Sequence, residues 1–106
     1  MKTLRLTSPA MRGPIVRNVQ RLVGAAQDGQ YGPATAGAVK AWKWSYGFHT
    51  RFVNTKVTAS DYAYMTGDKA KTPLMKVRAS RRKKAADKAL GKQGRAVKEM
   101  RKQARL

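Results

Sequence analysis

The side chains that most often carry catalysis or bind metals are scarce in this sequence. It has no cysteine, a single histidine (His49) and five carboxylates in 106 residues. Without cysteine, disulfides, zinc ribbons and thiol nucleophiles are excluded, and one imidazole cannot form a metal site by itself. Paired-carboxylate chemistry needs two acids in one cleft, whereas Asp28 and Asp61 each have a local role in a turn or a helix cap. We therefore predict no catalytic residue, no metal and no cofactor.

Lysine and arginine are the chemically active side chains that the chain has in excess. Its 24 basic residues outnumber 5 acidic ones, giving a formal net charge of +19. Residues 1–67 carry +7 (9 basic, 2 acidic), and residues 68–106 carry +12 (15 basic, 3 acidic). Because a solvated helix normally mixes both signs, this excess predicts contact with a polyanion. The candidate polyanion-binding residues are Lys76, Arg78, Arg81, Arg82, Lys83, Lys84, Lys88, Lys92, Arg95, Lys98, Arg101 and Lys102.

The pattern of these cations predicts binding without sequence preference. They fall on all sides of a predicted helix with few base-reading side chains such as Asn among them, so DNA or RNA would be held by its phosphates. An acidic protein surface and an anionic wall polymer stay open as partners. A membrane surface is disfavoured because residues 68–106 contain no Trp or Phe to insert. No stretch approaches the roughly 20 apolar residues of a membrane span.

Proline and glycine mark the elements that must position these side chains. Pro14 and Pro33 stand at helix starts, and Gly24, Gly47 and Gly67 stand at helix ends. The predicted helices are residues 14–23, residues 33–46, a third from the Thr58 cap to Gly67, and a long basic helix from Thr72-Pro73 onward that Gly91 and Gly94 should weaken or bend. Residues 48–57 are predicted to be a loop or a short extended piece.

The aromatic residues place the core in the first two-thirds of the chain. Every Trp, Tyr and Phe precedes Gly67, and aromatics bury the largest areas per residue. We expect the apolar residues after Gly67 to be too few to bury a face without outside help. The predicted organisation is an N-terminal extended segment (1–11), a helical module (12–67) and a basic helical arm (68–106).

Residues 16–22 (VRNVQRL), 28–35 (DGQYGPAT) and 38–42 (AVKAW) carry a family resemblance. Over residues 12–66 the chain resembles the small three-helix peptidoglycan-binding domain. The pattern of that domain is a V-x-x-L/V-Q-x-x-L helix, a D-G-x-F/Y-G-x-x-T loop and an A-V-x-x-F/W helix. The resemblance implies a three-helix module with a sugar–peptide ligand near the loops. With the long basic C-terminal helix that the residues after Thr72 predict, the expected fold class is all-α.

Several module residues are predicted to be structural or close to a ligand. Gly29 and Gly32 permit a positive φ, while Asp28 and Thr35 can accept hydrogen bonds from backbone amides. The full set is Asp28, Gly29, Tyr31, Gly32, Thr35 and Trp44. The chain departs from the family at Lys43, where Gln is common, and at residues 54–62, which replace a second D-G-x-x-G-x-x-T-W loop.

The aromatic side chains have two interpretations each. Trp42 and Tyr46 share a helical face with Val39, which favours a core role over a stacking platform. Trp44 lies on a different face and is a candidate contact residue. For Phe48 and Phe52, the edge of the core and a partner contact stay open. His49 is interpreted as an ordinary loop residue.

These features together predict a non-enzymatic structural or binding protein of a bacteriophage particle, such as a minor capsid or tail protein. Its module would dock on protein neighbours in a large assembly, and its arm would contact a polyanion. The start of the chain lacks the apolar stretch of a secretory signal, so we expect synthesis in the host cytoplasm and a final location in the virion. Two alternatives stay open: a peptidoglycan-recognition module of a lysis or tail apparatus, and a cytoplasmic ribosome- or nucleoid-associated protein.

Overall fold

The structure, a computed structural model, describes residues 1–104, with side chains described through residue 89. Within that range the regular elements are helical, which confirms the predicted all-α class. The elements are α1 (Pro14–Val23), α2 (Pro33–Tyr46), a short 3₁₀ helix (Thr50–Phe52), α3 (Ala59–Thr66) and α4 (Pro73–Ala104). We call residues 1–67 the head.

Proline and glycine set the ends of α1 and α2, as predicted. Pro14 and Pro33 occupy the first turn of their helices, where the missing N–H breaks no intrahelical bond. Gly24 and Gly47 follow the last helical residues with φ of 79° and 106°. This left-handed conformation suits glycine, because a Cβ would crowd the neighbouring carbonyl.

A capping box begins α3, as the sequence predicts. The Thr58 hydroxyl accepts a hydrogen bond from the Asp61 N–H at 3.1 Å, and the Asp61 carboxylate accepts one from the Thr58 N–H at 3.0 Å. Two backbone donors that the helix itself cannot satisfy therefore have partners.

The long basic helix α4 also begins at its predicted residue. Pro73 is its first residue, and the Thr72 hydroxyl accepts a hydrogen bond from the Met75 N–H at 3.2 Å. The helix continues through Gly91 and Gly94 to Ala104, so neither glycine ends it. The abundant Lys, Arg, Ala and Gln of this segment are strong helix formers, which offsets the two glycines.

The N-terminal segment belongs to the core rather than lying outside the module. Leu4 and Val57 exchange two backbone hydrogen bonds of 2.9 Å, and both side chains are buried. Residues 48–57 thus end in a short extended pairing. The core residues come from three helices, these two extended segments and the loop between α1 and α2: Leu4, Val16, Val19, Tyr31, Ala36, Val39, Val57 and Met65.

The first turns of α4 pack against α2, contrary to our expectation that nothing after Gly67 buries a face unaided. Met75 is only 7% exposed, and α2 and α4 are in contact. The docking depends on one methionine and on arginine side chains whose contacts are described below.

One cluster behind α2 contains four of the eight aromatic side chains: Trp42, Tyr46, Phe48 and Tyr64. Trp42 and Tyr46 stack with ring centroids 4.4 Å apart, and Phe48 packs edge-on against Tyr46 and Tyr64 at 5.9 and 5.6 Å. The core interpretation of Trp42 and Tyr46 therefore fits their partly buried positions. Of the two open cases, Phe48 is buried and Phe52 is 53% exposed.

Candidate functional site

The exposed cations of α4 form the most strongly charged surface among the described side chains. Residues 73–89 contain seven basic residues and one acid, Asp87. Arg81, Lys84 and Lys88 recur at helical spacing on the face turned away from Met75, and all three are exposed. Lys76 and Lys83 are exposed on its flanks. The remaining predicted cations lie outside the described side chains: Lys92, Arg95, Lys98, Arg101 and Lys102.

Two predicted polyanion-binding arginines instead hold α4 on the head. Arg78 Nη1 donates to the Gly47 carbonyl at 3.3 Å, and Arg82 Nη1 donates to the Trp44 carbonyl at 2.7 Å. The Arg82 guanidinium carbon also lies 3.8 Å from the centroid of the Trp44 ring. Partial burial, and secondarily the positive charge of Arg78, lower the pKa of Arg82. Arg78 thus gives the Gly47 carbonyl a donor, and Arg82 gives a second donor to the Trp44 carbonyl, which also accepts the Gly47 N–H at 3.3 Å.

Gly47 lets the backbone of α4 approach the end of α2. A Cβ at this position would overlap the carbonyl group of Met75. The same residue has the left-handed conformation that ends α2. Glycine is therefore required here for two reasons. The left-handed end of α2 could be inferred from the local sequence, whereas the close approach of Met75 could not.

A buried amide, that of Gln20, joins α1 to the first loop of the head, residues 28–35. Gln20 Nε2 lies 2.8 Å from Asp28 Oδ1, 3.0 Å from the Gln30 carbonyl and 2.9 Å from Thr35 Oγ1. Gln20 Oε1 accepts the Gly29 N–H at 2.9 Å. Asp28 also accepts the Gln30 N–H at 2.9 Å, and hydrogen bonds from Gln30 and then Gln20 lower the pKa of Asp28. We call this the Gln20 cluster.

The structure assigns structural positions to the predicted loop residues. Gly29 has φ of 75° as predicted, whereas the prediction of a positive φ is wrong for Gly32, which has φ of −101° and precedes Pro33. Tyr31 is buried and donates its hydroxyl hydrogen bond to the Thr55 carbonyl. Burial, and secondarily the charge of Asp61, raise the pKa of Tyr31 to about 12. Tyr31 thus links the first loop to the second.

A buried lysine, Lys43, binds the second loop of the head (residues 54–62) through hydrogen bonds, as Gln20 binds the first loop. Lys43, only 1% exposed, donates to Asn54 Oδ1 at 2.8 Å, to the Lys56 carbonyl, and to Asp61 Oδ2 at 2.8 Å. The three donors of an ammonium therefore have three acceptors, one of them ionised. We call this the Lys43 cluster.

The spacing of polar residues in the two loops indicates the role of Lys43, which the family pattern marks only as a departure. In the first loop Asp28, Gln30 and Thr35 are separated by two and five residues, and in the second loop Asn54, Lys56 and Asp61 have the same separations. Each buried donor also precedes a helix-ending glycine by four residues: Gln20 precedes Gly24, and Lys43 precedes Gly47. Matching the two loops by spacing rather than by residue type would have identified the cluster.

A groove of about 590 Å³ opens between the second loop, α3 and the start of α4. Its apolar residues include Phe48, Phe52, Tyr64 and Leu74, and its cations include Arg51 and Arg78. His49 lies at its edge and accepts the Arg51 N–H through Nδ1 at 3.1 Å, which fits a loop role. Asp61 faces the groove but is paired with Lys43. The groove offers aromatic surface and positive charge to a ligand.

Two findings apply to the part of the chain that the structure describes. No group of three or more His, Cys, Asp or Glu side chains there could hold a metal ion. None of the described helices is both long and apolar enough to cross a membrane.

Comparison of the chain with protein-family models, curated proteins and solved structures gives no match. Function must therefore be inferred from the chain's own residues.

Proposed function

We propose that this protein is a non-enzymatic binding protein that holds a polyanion along α4 while its head docks on a neighbouring surface. The observation that carries the proposal is the exposed row of Arg81, Lys84 and Lys88 on a helix whose opposite side is fixed to the head by Met75 and Arg82. Anchoring one side of the helix leaves the other free for a partner. With 32 residues, α4 is about 48 Å long and offers cations over several turns.

Nucleic acid is the polyanion that we favour. Releasing condensed counterions from a phosphate backbone is a large source of binding free energy for a cationic helix. Six to ten phosphate contacts would give a slope of about −5 to −9 when log affinity is plotted against log salt concentration. Lys and Arg without base-reading partners would hold the backbone of any sequence.

A bacteriophage particle is the setting that we propose. The head resembles a wall-binding module, and α4 has the charge of a nucleic-acid-binding arm. A phage particle meets both the bacterial wall and packaged nucleic acid, so one short chain with both features suits a minor capsid or tail component.

The test compares two full-length variants that lose the same charge. In the first, Arg81, Lys84 and Lys88 are replaced by Gln. In the control, Gln replaces Lys2, Arg5 and Arg12, which are exposed cations that precede α1. Binding to unrelated DNA fragments is measured across a salt series. We expect the first variant to lower the steepness of the salt dependence by about 2–3, near 0.9 per lost contact, and the control to change it less. A flat salt response of the wild type, or equal effects of both variants, would contradict the proposal.

The groove favours a second candidate function, recognition of peptidoglycan. Aromatic side chains beside polar ones are typical of sugar-binding surfaces, and Phe52 and Tyr64 line the groove together with Ser60. Sedimentation with purified cell wall at high salt tests this function, because screening removes binding by charge alone. Wall binding that survives high salt and is lost in Phe52→Ala would support it, and wall binding that disappears with salt would refute it.

A further inference from the structure

A second cavity, of about 510 Å³, lies where α2 and α4 meet, away from the groove. Trp44, Ser45, Lys71, Arg82 and Lys83 are among its lining residues. Its volume is in the range of about 300–1,000 Å³ that is common for small-ligand sites. None of the residues that line it in the described part of the chain is acidic. The charged residues of the cavity are therefore all basic, and they lie beside the Trp44 ring.

Trp44 lies on the exposed side of α2, where it can contact a partner. It is 46% exposed, whereas the neighbouring Trp42 is stacked on Tyr46 in the cluster behind α2. Arg82 is fixed beside the Trp44 ring by its 2.7 Å bond to the Trp44 carbonyl and by the 3.8 Å approach to the ring. The guanidinium covers one face of the Trp44 ring, so a nucleobase would stack on the uncovered face of the ring or on the outer face of the guanidinium.

Two lysines flank this pair at positions suited to phosphates. Lys71 Nζ lies 4.5 Å from the centroid of the Tyr46 ring, and Lys83 is exposed on α4 next to Arg82. A stacked base brings its own phosphates along, and an aromatic platform with cations around it is how single strands are bound without sequence preference. A duplex does not fit as well, since its bases present edges rather than faces.

We propose that Trp44 and Arg82 form a stacking site for a base of single-stranded nucleic acid, with Lys71 and Lys83 contacting the adjacent phosphates. This inference rests on the proposed polyanion-binding function. It adds that the ligand is single-stranded and that Trp44 distinguishes unpaired bases from paired ones. The exposed row on α4 supplies the charge, and Trp44 supplies the preference for unpaired bases.

Tryptophan fluorescence reports on this site directly. The chain has two Trp residues, so the variant Trp42→Phe leaves Trp44 as the single tryptophan. It is titrated with a single-stranded oligonucleotide of about 12 nucleotides, within the range that one binding surface spans. The matched ligands are the duplex of the same sequence and an abasic oligonucleotide of equal length. We expect quenching of Trp44 emission by the single strand and at most weak quenching by the abasic strand.

A second pair of variants measures affinity. Trp44→Leu keeps an apolar side chain but removes the stacking face. Phe52→Leu is its matched control, because Phe52 is equally exposed and has Arg51 5.1 Å from its ring, but lines the other groove. We expect Trp44→Leu to weaken binding of the single strand by at least about fivefold, the lower end of measured base–aromatic stacking. Phe52→Leu should weaken it less than twofold, and affinity for the abasic strand should stay unchanged in both.

The outcomes separate this inference from the function on which it rests. Equal, salt-dependent affinity for the base-containing and abasic strands, or tighter binding of the duplex, would overturn the stacking site and leave polyanion binding intact. No binding of any strand at low salt would overturn both. Circular dichroism checks that Trp44→Leu is folded; if that variant loses helix, the fluorescence titration of Trp42→Phe decides the question.

Discussion

The Gln20 cluster and the Lys43 cluster connect a helix to the loop that follows it with the same spacing but with different charge. In the first, a neutral amide uses both its N–H groups and its oxygen, and the only ion is the exposed Asp28. In the second, a cation 1% exposed faces a carboxylate 14% exposed. A buried ion pair is balanced only while both partners are present. We call residues 1–32 the Gln20 half of the head and residues 33–67 the Lys43 half. Substitutions in the Lys43 half should therefore lower the free energy of unfolding more.

The two halves also differ in what covers them. Gly24 ends α1 in open space, whereas Gly47 ends α2 against the backbone of α4. The Lys43 half thus supports both candidate binding surfaces, the groove and the cavity at Trp44. The Gln20 half is adjacent to neither of them.

Replacing Lys43 by Met should give the largest loss of stability. We expect the free energy of unfolding to fall by about 4 kcal/mol, because the change leaves the Asp61 carboxylate without its cation. The matched change Gln20→Met should lower it by about 2 kcal/mol, since it removes neutral hydrogen bonds. Urea denaturation measures both values. A larger loss for Gln20→Met would reverse the comparison.

Gly47→Ala should be the next most damaging change. Its cost combines the left-handed backbone, about 1 kcal/mol, with the overlap against Met75, about 2 kcal/mol more. Gly24→Ala has the first cost without the second, so we expect a loss of about 1 kcal/mol. Thermal denaturation of the two variants tests the difference, and similar melting temperatures would show that α4 does not pack closely on Gly47.

A double-mutant cycle should distinguish the clusters by their coupling. Combining Lys43→Met with Asp61→Asn should recover about 1–2 kcal/mol relative to the sum of the single changes, because no carboxylate is then left alone. The corresponding pair Gln20→Met and Asp28→Asn should couple by less than about 1 kcal/mol, since Asp28 remains hydrated. Strictly additive effects in the Lys43 cluster would mean that its ion pair is not energetically coupled.

The smallest effect is expected at low pH in the Gln20 cluster. Hydrogen bonds lower the pKa of Asp28 from 3.8 in the folded protein. The stabilisation is therefore present above that value and is lost as the pH falls through the folded pKa. Asp28→Asn should make stability below about pH 4 less dependent on pH. Asp68→Asn, which removes an exposed carboxylate elsewhere, controls for the change in net charge, and an identical profile for the two variants would contradict the assignment.

Much of the fold could be predicted because its signals are local. The starts at Pro14, Pro33 and Thr58 and the ends at Gly24 and Gly47 depend on hydrogen bonds within a few residues. The sequence did not predict that the N-terminal segment and the start of α4 each bury a side chain. Nothing near Leu4 or Met75 in sequence shows that each has a distant partner that buries it.

The candidate sites were predictable in composition but not in arrangement. Charge counting identified the basic helix, but it could not separate Arg78 and Arg82, which hold that helix on α2, from Arg81 and Lys84, which face solvent. The two groups of cations differ in whether they lie on the face of α4 that meets α2. The helices can approach there because Gly47 has no side chain. The exposure of Trp44 followed from its helical face, whereas its pairing with Arg82 did not.

The sequence by itself determined the helices, their caps and the excess of positive charge, since these follow from backbone conformation and residue type over short separations. Only the tertiary structure decided that Lys43 is buried, that α4 is docked and that Trp44 lies beside Arg82. The physical reason is that each of these facts joins groups 11 to 38 residues apart in the chain. The burial of a charge or the stacking of a guanidinium is favourable only when the whole fold brings its partner within hydrogen-bonding distance.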